Sequence, residues 1–155
     1  MSTVKITELD ELVGHDLGTS AWTQISQDQI SSFAHATGDH QWIHTDPERA
    51  ATGPYGTTIA HGYLTLSLLP RLLRDVMTVA DAAVGINYGI DRIRFTDIVP
   101  AGARIRLRAR LASSQPKPNG RLIGLDVAVE REGAKKPAMV GSLLLLYLRQ
   151  DTRTE

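Results

Sequence analysis

The sequence predicts an α+β layer fold, in which an antiparallel sheet of about five strands packs on one long helix. Three observations lead there. Helical spacing and helix punctuation are confined to the first half of the chain, and beyond Asp81 the apolar period changes to two. The longest helical stretch is apolar on most sides, as a central, buried helix should be. Strand–helix–strand alternations are few, which disfavours a doubly wound parallel sheet.

Taken in order, the elements begin with a strand near 17–25. Ser26-Gln27-Asp28-Gln29 fits a capping box, in which the serine hydroxyl and the glutamine amide satisfy each other's orphan N–H groups. Ile30, Phe33, Ala34 and Thr37 follow at helical spacing, and Gly38 suits the left-handed position past a helix end, so a helix is expected over 27–37. Asp46-Pro47 pairs an N-cap with proline at the first helical position and starts a short helix near 47–52. Thr52-Gly53-Pro54-Tyr55-Gly56 is a loop. From Gly62 to about Met77 runs the apolar helix, with no charge before Arg71 and with Pro70 expected to kink it. A strand spans about 83–95. Residues 103–111 alternate Arg104, Arg106, Arg108 and Arg110 with apolar neighbours, the signature of a half-exposed strand. Ser114 to Gly120 reads as a hairpin loop, residues 121–130 as the returning strand, and 132–137 as the next turn. Residues 138–148 are apolar on both faces and predict an interior strand. The residues from about 150 to 155 form a polar tail.

Composition narrows the function classes. Seventeen Lys+Arg balance 17 Asp+Glu, so no basic excess is available for phosphate neutralisation and a nucleic-acid partner is not expected. With no cysteine there is no disulfide framework, thiolate nucleophile or Cys-ligated metal. The opening MSTVKITELDELVGHDL lacks an apolar core of signal-peptide type, and the longest apolar run, Leu143–Leu148, is too short to span a bilayer. A cytoplasmic single domain over 1–155, with no membrane partner, is the expectation.

The chemistry is concentrated. His35, His40, His44 and His61, four of the five histidines, lie in one stretch with Asp39. Asp39 and His44 are five apart, about 140° from each other on a regular helix and on opposite faces of a strand. They converge only on irregular backbone, which Gly38 and the break before Pro47 allow. A neutral histidine and an ionised aspartate around one water can share proton transfer. Ala60-His61-Gly62-Tyr63 stands at the mouth of the apolar helix, where the first N–H groups lack internal partners and Gly62 admits close approach of a ligand oxygen. Blander readings stand beside these. Asp39 after a helix-ending glycine is ordinary turn chemistry, and Trp42 and Ile43 suit a core or pocket wall. His40 and His44 share a helical face, but HQWIH lacks the glutamate of a zinc-protease helix, so no metal is expected. The arginine row reads as a solvated face.

Ser32 through Pro47, followed by Gly53-Pro54-Tyr55-Gly56 and Ile59-Ala60-His61-Gly62-Tyr63, resembles the MaoC-like dehydratases, the (R)-specific enoyl-CoA hydratases of type 2 with their NodN-like relatives. Asn87-Tyr88-Gly89, Arg92-Ile93-Arg94-Phe95 and Val99-Pro100-Ala101-Gly102 resemble the family's second half. The family motif Gly-Asp-x-Asn-Pro-x-His is matched at Gly38, Asp39 and His44, while Gln41 and Trp42 replace the Asn-Pro pair. The resemblance implies a hot-dog fold, its sheet wrapped around the helix, and a homodimer with sheets joined edge to edge. It implies that Asp39 and His44 activate the water added to a trans-2-enoyl thioester, giving the (R)-3-hydroxyacyl-CoA without a cofactor, with the Gly62 N–H as oxyanion hole. Trp42, Ile43, Tyr55, His61, Tyr63 and Arg92 are the implied substrate contacts, with Arg94 as a second candidate for the CoA phosphates. The other readings are a hot-dog acyl-CoA thioesterase, for which the only acidic residue on the helix is Asp75 near its far end, and a non-catalytic acyl-thioester-binding subunit of a larger dehydratase.

Overall fold

Ser26 opens the first helix by the means its residue type offers. Its hydroxyl accepts the Gln29 N–H at 3.1 Å, and α1 (Gln27–Thr37) closes on Gly38, whose φ of 79° turns its N–H back to the Ala34 carbonyl. A cap of this kind stabilises by about 1 kcal/mol. The computed structural model describes residues 2–150, so 151–155 of the expected polar tail lie outside the described residues. Ile30 and Ala34, one turn apart, are the fully buried residues of α1. A single turn, α2 (Trp42–Thr45), follows where no helix was expected. The expected short helix is α3 (Pro47–Ala51), with the Asp46 carboxylate accepting the Arg49 N–H at 3.0 Å.

The helix expected over 62–77 is instead two segments, α4 (Gly62–Ser67) and α5 (Leu69–Leu73), which meet at Leu68. Pro70 lies in the first turn of α5 and has no N–H to give the Leu66 carbonyl, so the hydrogen-bond ladder lapses there. The chain also leaves the helix earlier than expected. Met77–Val79 forms β4, which pairs in parallel with β1 (Ser2–Val4). The Asp81 carboxylate then accepts the Ile6 N–H at 2.8 Å, fastening the turn that follows β1.

The large sheet is antiparallel and has six strands, one more than expected: β2 (Asp16–Thr19), β3 (Thr23–Gln24), β5 (Val84–Phe95), β6 (Arg104–Lys117), β7 (Gly120–Arg131) and β8 (Met139–Leu148). Their order is β2-β6-β7-β8-β5, with β3 also on β6. The extra strand arises because the segment near 17–25 is split. Buried Ser20 interrupts it, its hydroxyl accepting the Leu107 N–H at 2.9 Å in place of a ladder bond. The loop expected over 114–120 shrinks to two residues, because β6 and β7 stay paired down to Lys117 opposite Gly120. Asn119 supplies the left-handed backbone of that turn, φ 57°. β8 is interior, as its two apolar faces predict.

The core lies between α4–α5 and the inner face of the sheet. Leu69 and Leu72 meet a surface built from Ile105, Leu107, Ile123 and Leu125, all fully buried. Outward on β6, Arg104, Arg106, Arg108 and Arg110 pair with Glu132, Glu130, Asp16 and Asp126, so the expected solvated face is a row of ion pairs. β5 ends the strand order and leaves a long free edge. Val84, Ile86, Tyr88 and Ile90 along it are 41–58% exposed, unusually apolar for a free edge. No described helix is long and apolar enough to cross a membrane.

Candidate active site

Gly38 ends α1 and releases the chain into irregular backbone, and this brings Asp39 near His44. One side-chain oxygen of Asp39, one ring nitrogen of His44 and one of His61 all lie within 4.8 Å of each other. Asp39 is exposed, and its carboxylate accepts the Gln41 N–H at 3.4 Å. His44 sits on α2 and is buried. Its Nδ1–H donates to the Ile59 carbonyl at 2.7 Å, which leaves the Nε2 lone pair free in the neutral ring. Burial pushes its pKa below the ordinary histidine value. The bond to Ile59 opposes that shift, the neighbouring His61 adds to it, and the charge of Asp39 opposes it.

Further bonds hold His44 in place. The Gln27 amide donates to the His44 carbonyl at 2.8 Å, and the buried Thr58 hydroxyl donates to the Gln27 side-chain oxygen. The Ile59 N–H reaches the Ile43 carbonyl at 2.9 Å. The N-terminus of α1, the turn α2 and the segment 58–60 are thereby clamped together.

His44 and Gly62 line one cavity of about 380 Å³, together with Thr65, Phe95 and Asp97. Gly62 is the first residue of α4, so its N–H has no intrahelical acceptor. A Cβ there would come within 2.8 Å of the Phe95 ring, so the close approach needs glycine. Thr65, one turn on, is buried. Asp97 brings a carboxylate to the cavity wall. Its pKa is held low first by the Ile98 N–H, at 2.9 Å, and also by the Arg131 guanidinium at 3.2 Å.

The other expected contacts are placed differently. His61 is buried beside His44 rather than open to a ligand. Trp42 packs on Gly53 under the Arg49 guanidinium, which is 4.4 Å from the ring centre, and it is not part of the cavity wall. Ile43 enters through its backbone. Tyr55 is 45% exposed and Tyr63 68% exposed, the latter edge-on to Phe95. Arg92 occupies a bulge of β5 with φ 51°, and Arg94 turns to the Ile93 carbonyl; both are exposed and outside the cavity wall. His35 and His40 are exposed, so the pairing of His40 with His44 on a metal has no support. Asp39, His44 and His61 lie close together, but one ring nitrogen of each histidine is taken by a backbone carbonyl, Ile59 for His44 and Asp39 for His61, and the two rings are stacked on each other. Gln27, Thr65 and Asp97 were not anticipated. Thr65 alone had a signal, a polar residue one turn from Gly62 in an apolar helix.

A model of the MaoC like domain matches residues 8–130. The chain is 45% identical over 144 residues to 3-hydroxyacyl-thioester dehydratase Z of Mycobacterium tuberculosis, covering 92% of this chain and 95% of that one. It is 40% identical over 149 residues to Nodulation protein N of Rhizobium meliloti, covering 94% and 92%. Among solved structures it is similar in fold to an R-hydratase of Pseudomonas aeruginosa, with a TM-score of 0.76 at 24% identity over 95% of this chain and 87% of that one.

Proposed function

The chain belongs to the MaoC-like dehydratases, and from that premise we propose that it is an (R)-specific enoyl-thioester hydratase, reversible as a dehydratase, acting on acyl-CoA as a cytoplasmic homodimer. The observation that carries the reading is the meeting of His44 and Gly62 on the wall of one cavity, with the Asp39 carboxylate close to His44.

In the hydration direction, Asp39 and the unprotonated His44 Nε2 hold a water over C3 of the trans-2-enoyl thioester, and Asp39 is the principal base. As the oxygen–carbon bond forms, the C2–C3 π electrons move onto the thioester oxygen, where the Gly62 N–H meets the developing charge. The dyad then returns the proton to C2, and the enolate collapses to the (R)-3-hydroxyacyl thioester. Water is the only co-reactant, so no cofactor enters. Phe95 on the cavity wall and the exposed Tyr63 edge-on to it form apolar surface suited to an acyl or pantetheine chain. Ile43 serves from behind, its carbonyl taking the Ile59 N–H, and Trp42 and Tyr55 shape the neighbouring loop.

The apolar free edge of β5 supports the homodimer. Two copies joined antiparallel along it would bury Val84, Ile86, Tyr88 and Ile90 and bring the exposed Arg92 and Arg94 to the junction, where CoA phosphates can meet them.

The test is hydration of crotonyl-CoA, followed at the absorbance of the conjugated thioester, with the product offered to an (R)-specific dehydrogenase. Absorbance loss with (R)-3-hydroxybutyryl-CoA is the expected result. Release of free CoA thiol instead would make the protein a thioesterase.

A further inference from the structure

His61 is a buried titratable group that the chemistry above does not use, and its contacts are unusual in what they join. Its ring stacks on that of His44, with centroids 3.8 Å apart and planes 24° from parallel. Its Nε2–H donates to the Asp39 backbone carbonyl at 3.0 Å, since a carbonyl can only accept. Phe33 of α1 closes another side at 5.0 Å. Its own backbone is the N-cap of α4, so the next residue is Gly62. Its Nδ1 is buried without a hydrogen-bond partner among the described residues. A histidine only 2% exposed with an unsatisfied nitrogen is costly, and a purely packing role would be better served by an apolar ring.

We infer that His61 is the positioning residue of this site: its side chain holds Asp39 and His44 in one frame with the Gly62 amide, so that base, acid and oxyanion donor keep their mutual geometry through the reaction. The inference rests on the hydratase reading for what that geometry does, and on the contacts alone for its existence. Each contact has a distinct task. The Nε2–H bond fixes the backbone from which the Asp39 carboxylate springs. The stack lies against the face of the His44 ring that the in-plane Ile59 bond does not hold. A positive charge on His61 opposes one on His44, so the second ring also biases the first toward the unprotonated form that accepts a proton. The charged and titratable groups facing His61 are His44 from α2 and Asp39 from the loop after α1; Phe33 from α1 brings no charge.

Two substitutions separate these tasks. His61→Gln keeps an N–H donor within reach of the Asp39 carbonyl and removes the ring. His61→Phe keeps a ring against His44 and removes the donor and the titratable nitrogens. Both should lower kcat on crotonyl-CoA by about 10²-fold, the scale of a misplacement near 1 Å, with KM within about twofold. The titration of His44, followed by NMR of its ring in each variant, should move to higher pH than in the unaltered protein. Unaltered kcat in both variants, or a His44 titration identical to that of the parent, would overturn the inference. The NMR readout needs no turnover. A parent protein that hydrates no thioester, yet shows the shift between parent and variants, would therefore remove the hydratase reading while supporting the positioning role.

Discussion

The Gln27 side-chain amide donates to the carbonyl oxygen of His44 at 2.8 Å, across seventeen residues of sequence. Gln27 is the first residue of α1, where a side chain ordinarily faces water, yet here it also takes the Thr58 hydroxyl. Gln27→Ala leaves a carbonyl and a buried hydroxyl without partners, at a cost of about 1–3 kcal/mol. Hydration of crotonyl-CoA should fall by roughly tenfold in kcat, and the thermal midpoint by several degrees. A kcat equal to the parent's would show that the Ile59 bond and the His61 stack position His44 without Gln27.

Asp39→Asn and His44→Ala remove opposite halves of the dyad. Each should lower turnover by on the order of 10²–10⁴-fold, the range for loss of an acid/base group, while the circular dichroism spectrum stays unchanged. Near-normal turnover in either variant would remove that residue from the mechanism.

Burial, followed by the nearby His61, holds the His44 ring below the ordinary histidine pKa of about 6.5. Activity should therefore persist at acidities where a solvent-exposed histidine is already protonated, and disappear as pH falls through the lowered value. Stability follows the same sign. Between the folded and unfolded values the unfolded chain binds more protons, so this residue's contribution is present above about pH 6.5 and is lost as pH falls toward the folded value. Urea unfolding at neutral and at mildly acid pH, compared between parent and His44→Ala, isolates the effect.

Gly62→Ala places a methyl carbon 2.8 Å from the Phe95 ring. Relief requires the ring or the start of α4 to move, and overpacking of this sort costs about 1–3 kcal/mol. The thermal midpoint should fall, and kcat with it. The double variant Gly62→Ala with Phe95→Ala should recover the midpoint; failure to do so would mean that the strain lies in the α4 backbone.

The free edge of β5 gives a prediction about assembly. Ile90→Lys puts a charge on the apolar edge, near the middle of β5, where Ile90 is 48% exposed in the single chain. Gel filtration should show the elution mass falling by half. An unchanged mass would place the subunit contact elsewhere.

The sequence made some of this legible because some signals are local. Ser26 and Gly38 carry both ends of α1 within thirteen residues, and the alternating arginines of β6 declare a strand without any partner. The pairing of Ser2 with Met77 was invisible, because three residues show no period and the partner is far along the chain. The tip of the β6–β7 hairpin misled for a different reason. Ser114, Gln115 and Lys117 are polar like a loop, yet the backbone ladder continues through them. At the site, Asp39, His44 and Gly62 were marked by a motif of residue types. Gln27 and Asp97 are ordinary residues in the sequence and gain meaning only through folding, which sets Gln27 against the His44 carbonyl and Asp97 on the cavity wall. For His61 the position beside Gly62 is visible in the sequence, and its burial against His44 is not.

The ion-paired row on β6 bears on how an anionic thioester would find this protein. Arg104, Arg106, Arg108 and Arg110 each face a carboxylate, so from a distance the outer side of the sheet projects little field. A polyphosphate drifting past gains nothing by lingering there. Capture must then depend on charges elsewhere, such as the exposed Arg92 and Arg94, and the association rate should respond to ionic strength through those few groups rather than through the most arginine-rich strand of the chain.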